Sequence, residues 1–508
     1  MRFVQESLLE TNGNLIRRFN LALAWGAVGV ITGRALQFVT TLVMARLLVP
    51  EDFGALAVAL VVQTIAVNVT DLGATAAIAR AGRESTLFAP TVLTVALVTG
   101  ALLTAAVAGT APLLANTMGN PTATPVIQAM SLTIALAGVS GVPAAFVWRD
   151  YRQGRKAAVE TLGGLAGLAV AILLAMVGWG PMALAWSRVA GQAVTTVGYW
   201  MAAPVRVRPG FRRPHAAVVL RLGLPLAGAN LVVFMALNTD YAVIGRILGP
   251  EPLGYYLMAF TLAALPSSLV TASVRAVAVP SFGRLHAAGV IHAAARDILF
   301  LVCCVALPLA ALIAALGRPT LVFLYGAAWA PAAAALLGLG VFGGGRIVAE
   351  LLADLCVGAG HTSGLFWVQV MWLALLVPGL WAAALVGGIA AVGWAHAAII
   401  WIAVIPIYLC VAARAVGAGF GEVARTLGLP VAAACVSGTA ALGVHAAVED
   451  PTASLLIGAV AGMSLALLIC WSQAIRAWRR FSAALGAVRG MDSVPPVGGS
   501  AVEAGQES

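Results

Sequence analysis

Arg34 stands in the middle of the apolar run AVGVITGRALQFVTTLVMA. A guanidinium facing lipid at that depth costs several kcal/mol, so its side chain belongs against a polar or water-filled interior. Two chemistries suit it: receiving an anionic substrate group, or forming half of a buried structural ion pair. The first is attractive for pyrophosphate, because the planar fork donates two parallel N–H bonds to phosphate oxygens. Gln37 follows Arg34 by about one turn, and Arg188 with Gln192, one turn apart in LAWSRVAGQ, are further candidate cavity groups. Asp240, in NTDYAVIGRILG, either lines the same cavity or pairs across the interface between the two halves of the chain.

A second cluster is Arg346, Glu350 and Asp354, spaced i, i+4, i+8 and so near one face of a helix. Arg346 can pair with Glu350 along that helix, although with the acid on the C-terminal side the orientation is the weaker one. The cluster reads either as a gate or ion-coupling group or as an interhelical structural network. Asp71-Leu72-Gly73 reads as a helix break or cap in preference to a substrate contact.

Other chemistries lack their residues. His215, His286, His292, His361, His396 and His445 form no metal-ligand spacing, and Cys303, Cys304, Cys356, Cys410, Cys435 and Cys470 lie in or beside apolar runs. There is no GxxxxGK[ST] loop, which excludes ATP hydrolysis by that route. Gly343-Gly344-Gly345 and Gly387-Gly388 sit in apolar surroundings and read as close-packing or hinging steps, not nucleotide fingerprints. The expectation is therefore no catalytic residue, no metal and no cofactor, with H+ or Na+ as the coupling ion if there is one.

The elements that must position these groups follow from composition. The 508 residues are 61% hydrophobic and 9% charged, with a mean hydropathy of +0.99. A soluble chain carries roughly 25% charged residues, so the solvent for most of this one is lipid. Long, continuous apolar runs exclude the ten-residue alternation of barrel strands, leaving helices. Runs near 22–44, 53–78, 87–110, 124–147, 157–177, 182–203, 218–243, 253–274, 296–316, 331–357, 364–386, 389–411, 428–447 and 452–475 predict about fourteen spans. With that count, 23 of the 29 basic residues fall on the side of the N-terminus. The positive-inside rule then puts both termini in the cytoplasm, and the abundance of Ala, Gly and Arg beside a single Lys points to a bacterial genome and so to the inner membrane. The net charge of +10 is explained as this topology signal, and nucleic acid is excluded as a partner. The expected organisation is a lead-in (1–21), an N-lobe (22–203), a basic linker (204–217), a C-lobe (218–411), a loop (412–427), two further spans (428–480) and a disordered tail (481–508).

One repeat connects the halves. MARLLVPEDFGALAVAL (44–60) and IGRILGPEPLGYYLMAF (244–260) share Arg46/Arg246, Pro50/Pro250, Glu51/Glu251 and Gly54/Gly254 at a constant offset of 200, with Leu48/Leu248 as well. In each copy Arg ends one helix near its carbonyls and the interfacial phosphates, Pro-Glu opens the next, and Gly lets the hairpin close. An even number of spans separates the copies, so the halves have the same orientation. Two parallel, pseudo-symmetric lobes around a central cavity are the expected all-α architecture.

The runs RALQFVTTLVMARLLVPEDFGALAVALVVQTIAVNVTDLGATAAIAR and NTDYAVIGRILGPEPLGYYLMAFTLAALPSSLV resemble the bacterial polysaccharide-biosynthesis flippases of the O-antigen or lipopolysaccharide type. Their superfamily also holds multidrug/cation antiporters and peptidoglycan-precursor flippases. The resemblance implies a transporter that moves a polyprenyl-pyrophosphate-linked glycan between leaflets by alternating access, for exopolysaccharide or a related surface glycan. It also implies membrane lipid, a polysaccharide polymerase and a chain-length regulator as partners, and makes Arg34 the residue that best fits a cationic cavity. The alternatives are a drug or organic-cation antiporter, a peptidoglycan-precursor flippase, and a membrane-embedded glycosyltransferase or ligase.

Overall fold

A computed structural model describes residues 2–71, 85–150, 152–217, 221, 238–267, 291–359, 363–417 and 419–492. All regular structure among the described residues is helical. The helices are α1 (Arg2–Leu47), α2 (Pro50–Asp71), α3 (Ser85–Thr117), α4 (Thr124–Arg149), α5 (Gln153–Met176), α6 (Pro181–Ala202), α7 (238–248), α8 (Pro250–Ala263), α9 (Ile291–Ala315), α10 (Gly317–Tyr325), α11 (Ala333–Gly358), α12 (Ser363–Ala398), α13 (Ile405–Val416), α14 (Phe420–Ala447) and α15 (Pro451–Asp492). Helices α2, α6, α8 and α15 each open on a proline, whose missing N–H would have had no partner in the first turn. Among the described residues, ten segments are long and apolar enough to cross a membrane by length and composition. Expected spans two, seven and eight run partly outside the described residues, as does the Asp71-Leu72-Gly73 step, of which only the end of α2 is described.

The expected pair 364–386 and 389–411 divides at Gly387-Gly388, where Gly387 (φ −145°, ψ 22°) and Gly388 (φ 61°, ψ −151°) leave helical geometry. Only a residue without Cβ takes the second of these conformations easily, so the two glycines are the turn. Beyond it, Ile399–Val404 widens into a π-turn before α13. The polar lead-in is helical and runs on into the first span as part of α1. The tail expected from 481 begins as helix, since α15 runs on to Asp492; residues 493–508 lie outside the described residues.

The helices gather into two compact units. Met1–Leu257 with Leu324–Pro331 form the first, and Met258–Phe323 with Ala332–Ser508 the second. Small residues set the packing in both, because without a hydrophobic force between helices close approach of backbones must supply the contact. In the first unit α5 and α6 meet along Gly163, Gly167 and Gly191; a Cβ at Gly167 would come within 2.8 Å of the Ser187 carbonyl oxygen. Polar side chains tie the same bundle: Gln63 of α2 donates to Thr133 of α4 (2.7 Å), and the Trp200 indole of α6 donates to the Val139 carbonyl (3.1 Å). In the second unit Gly340 of α11 lies against Ala314, and Gly345 against Ile400 and Trp401 at the π-turn. The Trp401 indole donates to the Val341 carbonyl at 3.0 Å, locking that turn to α11. The 343–345 glycines are thus close-packing positions.

Candidate functional site

Within the first unit the two copies of the repeat meet. Pro50 and Pro250 open α2 and α8, and Asp52 reaches back to accept a hydrogen bond from the Val49 N–H (3.2 Å), half of a capping box. A Cβ added at Gly54 would overlap the Pro250 carbonyl oxygen, and one added at Gly254 would overlap the Pro50 carbonyl oxygen. The two glycines therefore serve each other's hairpin. This corrects the expectation that each closes its own.

The segment Leu324–Pro331 lies on this junction. Trp329 is fully buried, and its indole N–H donates to the Ala45 carbonyl at 2.8 Å. Phe53 and Tyr255, one from each copy, present edges to it at 5.0 and 6.2 Å between ring centroids. Arg46 donates from Nε to the Leu324 carbonyl at 3.0 Å. Sequence alone assigned Arg46 to its own helix end and to lipid phosphates; it also reaches a carbonyl 278 residues away. Arg246, its counterpart, is exposed, as are Glu51 and Glu251, the latter accepting from the Tyr255 hydroxyl at 3.0 Å. Nothing in the run GAAWAPA marks Trp329 as the centre of an aromatic cluster, and the sequence reading missed it.

The other polar groups of this unit divide into bound and open. Helix α1 meets α5 along Trp25, Gly29 and Leu36, which face Gly154, Ala157 and Gly164. At 100° per residue Arg34 points away from that seam, and it is exposed, as is Gln37. Arg188 on α6 is exposed too. Gln192 is half-buried and its amide donates to the Ser140 hydroxyl (3.4 Å) on α4. Asp240 is buried and accepts from the Tyr256 hydroxyl (2.8 Å) and the Tyr241 N–H (2.9 Å), joining α7 to α8.

In the second unit Arg346 donates from Nε to Glu350 at 2.9 Å, the pairing along α11 that the spacing predicts. Asp354, one turn on, is buried. Nearby, Gln369 of α12 donates to the Tyr408 hydroxyl of α13 at 3.1 Å. Among the described residues no group of three His, Cys, Asp or Glu side chains is placed to hold a metal ion.

The regular structure of the described residues is thus helical, with Asp240 and Asp354 buried in long apolar surroundings. Residues 43–334 match the family described as polysaccharide biosynthesis protein. The chain belongs to this family. It is 26% identical over 346 residues to the succinoglycan biosynthesis transport protein ExoT of Rhizobium meliloti (strain 1021), covering 68% of this chain and 70% of that one. It is 24% identical over 264 residues to the lipopolysaccharide biosynthesis protein WzxC of Escherichia coli (strain K12), covering 52% of this chain and 54% of that relative. Among solved structures it is similar to the lipid II flippase MurJ in an inward closed conformation, with a TM-score of 0.73 at 13% identity over 87% of this chain and 97% of that one. An inward-facing multidrug-resistance transporter of the MATE family matches with a TM-score of 0.59 at 16% identity over 78% and 96% of the two chains. The chain is thus a multi-pass membrane protein of the polysaccharide biosynthesis family, with the fold of those solved structures.

Proposed function

We propose that this protein flips a polyprenyl-pyrophosphate-linked oligosaccharide from the inner to the outer leaflet of the cytoplasmic membrane, by alternating access, for synthesis of an exopolysaccharide or related surface glycan. The observation that carries the reading is Arg34. It lies 13 residues before Leu47, the end of α1, which at 1.5 Å per residue is about 20 Å, well inside a hydrocarbon layer of roughly 30 Å. An exposed guanidinium is tolerable there only against water or an anionic ligand. A pyrophosphate provides such a ligand, while the polyprenyl tail stays in lipid. Arg188 and Gln37 are the next candidates to line its path. Gln192 and Asp240, hydrogen-bonded to Ser140 and Tyr256, are the remaining candidates.

The same contacts favour an anionic cargo over an organic cation. A cation would need an open carboxylate, whereas Glu350 accepts from Arg346 and Asp240 from Tyr256. If transport is coupled to H+ or Na+, Glu350 and Asp354 are the candidate groups, with Arg346 as the switch partner. The names of the succinoglycan and lipopolysaccharide relatives support a surface glycan over a peptidoglycan precursor. In this reading the repeated hairpins belong to two lobes, 22–203 and 218–411, the fourteen spans leave both termini cytoplasmic, and a polymerase with its chain-length regulator takes the product.

The test is complementation. Arg34→Ala should reach the membrane at the normal level yet restore less than a tenth of surface glycan in a strain lacking its flippase, with Arg34→Lys intermediate. Full restoration by the alanine variant at equal protein level refutes the pyrophosphate role.

A further inference from the structure

One cavity of about 500 Å³ in the second unit has no part in the transport reading. Its walls are the first turns of α9 and α14 and the distal part of α15, and its lining includes Arg296, Asp297, Glu422, Arg425, Arg476 and Arg480. Two of the arginines are spoken for. Arg480 holds Asp297 with two hydrogen bonds, 2.6 and 3.1 Å, and Arg296 lies 3.6 Å from Glu422 and 4.0 Å from Asp297. Four guanidinium groups against two carboxylates leave the lining with an excess of two positive charges, matching Arg425 and Arg476. Both are exposed, and Arg476 is steadied by donating from Nε to the Ser472 carbonyl at 3.2 Å.

The cavity's depth points to the kind of anion it takes. Trp471 and Trp478, seven residues apart and so on one face of α15, are both more than 60% exposed. Tryptophan in that setting marks the headgroup level of a bilayer. Arg476 and Arg480 sit at the same height on the opposite face. On its inner side the cavity is walled by Phe300 and Leu429, which continue into a buried apolar cluster with Cys304, Ala433 and Cys470. A basic recess open at the interface above an apolar wall suits an amphiphile with a phosphodiester head; a soluble phosphate would gain nothing from the lower half.

We infer that this recess binds the head group of an anionic membrane phospholipid, with Arg425 and Arg476 as its phosphate ligands and the Arg480–Asp297 pair as the fixed rim. The site is separate from Arg34 and does not depend on what the transporter carries. The test uses the full-length protein in nanodiscs of phosphatidylcholine titrated with phosphatidylglycerol, with retained lipid counted by native mass spectrometry. Wild type should retain phosphatidylglycerol selectively. Arg425→Gln/Arg476→Gln should bind it about 30-fold more weakly, at roughly fivefold for each interfacial charge, and Arg425→Lys/Arg476→Lys should keep most of the affinity. Arg206→Gln/Arg208→Gln, which removes two basic residues elsewhere in the chain, should leave retention unchanged. Equal retention by wild type and the glutamine pair overturns the site. So does an equal loss in the Arg206/Arg208 pair, which would mean bulk electrostatics. Inorganic phosphate or glycerol 1-phosphate that displaces the lipid at millimolar concentration also overturns the assignment to a lipid, because the apolar wall would then contribute nothing.

Discussion

Gly54→Ala places one methyl group where the structure has no room. The added Cβ would overlap the Pro250 carbonyl oxygen, lie 2.7 Å from its carbon and 3.1 Å from the Pro250 Cα. Three backbone atoms cannot rotate aside as a side chain would, so the hairpins must separate by something on the order of 1 Å. Overpacking of this kind costs about 1–3 kcal/mol, and Trp329, wedged between Phe53 and Tyr255, loses part of its fit as they part. The decisive measurement is a cycle. Gly54→Ala, Gly254→Ala and the double variant are unfolded by SDS titration in mixed micelles, and the three free energies compared. Because Gly254 meets Pro50 as Gly54 meets Pro250, the first methyl opens the junction that the second would occupy. The double variant should therefore cost less than the sum of the singles, by at least 0.5 kcal/mol or so. Additive costs, or a Gly54→Ala protein as stable as wild type, refute the reciprocal contact.

Trp329→Phe keeps a ring in the cluster but removes the donor to the Ala45 carbonyl, and should cost about 1 kcal/mol against 3–5 for Trp329→Ala; equal losses in thermal unfolding would mean the hydrogen bond carries the whole effect. Arg480→Ala leaves the buried Asp297 carboxylate with only Arg296, 4.0 Å away, whereas Arg479→Ala removes an exposed charge from the same turn. Because the Arg480 side chain is itself half-exposed, the difference should be about 1–3 kcal/mol rather than the full cost of a buried pair. Indistinguishable melting temperatures for the two variants would discount the ion pair.

Much of the architecture follows from local chemistry. Long apolar runs without alternation leave only helices in lipid, prolines just inside four of them mark their starts, and Gly387-Gly388 divides the 364–411 stretch. The i, i+4 spacing of Arg346 and Glu350 likewise predicts a pairing on one helix that the structure contains. These are readable because each depends on residues within a turn or two of one another. The repeat at offset 200 was legible as well, but its glycines were assigned to the wrong contact. Spacing along a chain reports what a residue does to its own turn and is silent about which backbone approaches from elsewhere.

Composition and hydropathy alone fix a chain of membrane helices with a repeated hairpin motif and a guanidinium, Arg34, within its first long apolar run. Hydropathy and charge decide that much, because transferring each apolar or ionised group to lipid has a free energy set by the group alone. Only the tertiary structure decided that Gly54 and Gly254 exchange places against each other's proline. It also gave Arg46 the carbonyl of Leu324, and Arg480 a carboxylate 183 residues away. Those contacts depend on where helices cross. The crossings are set by the summed packing of many small residues, a sum that no single stretch of sequence contains.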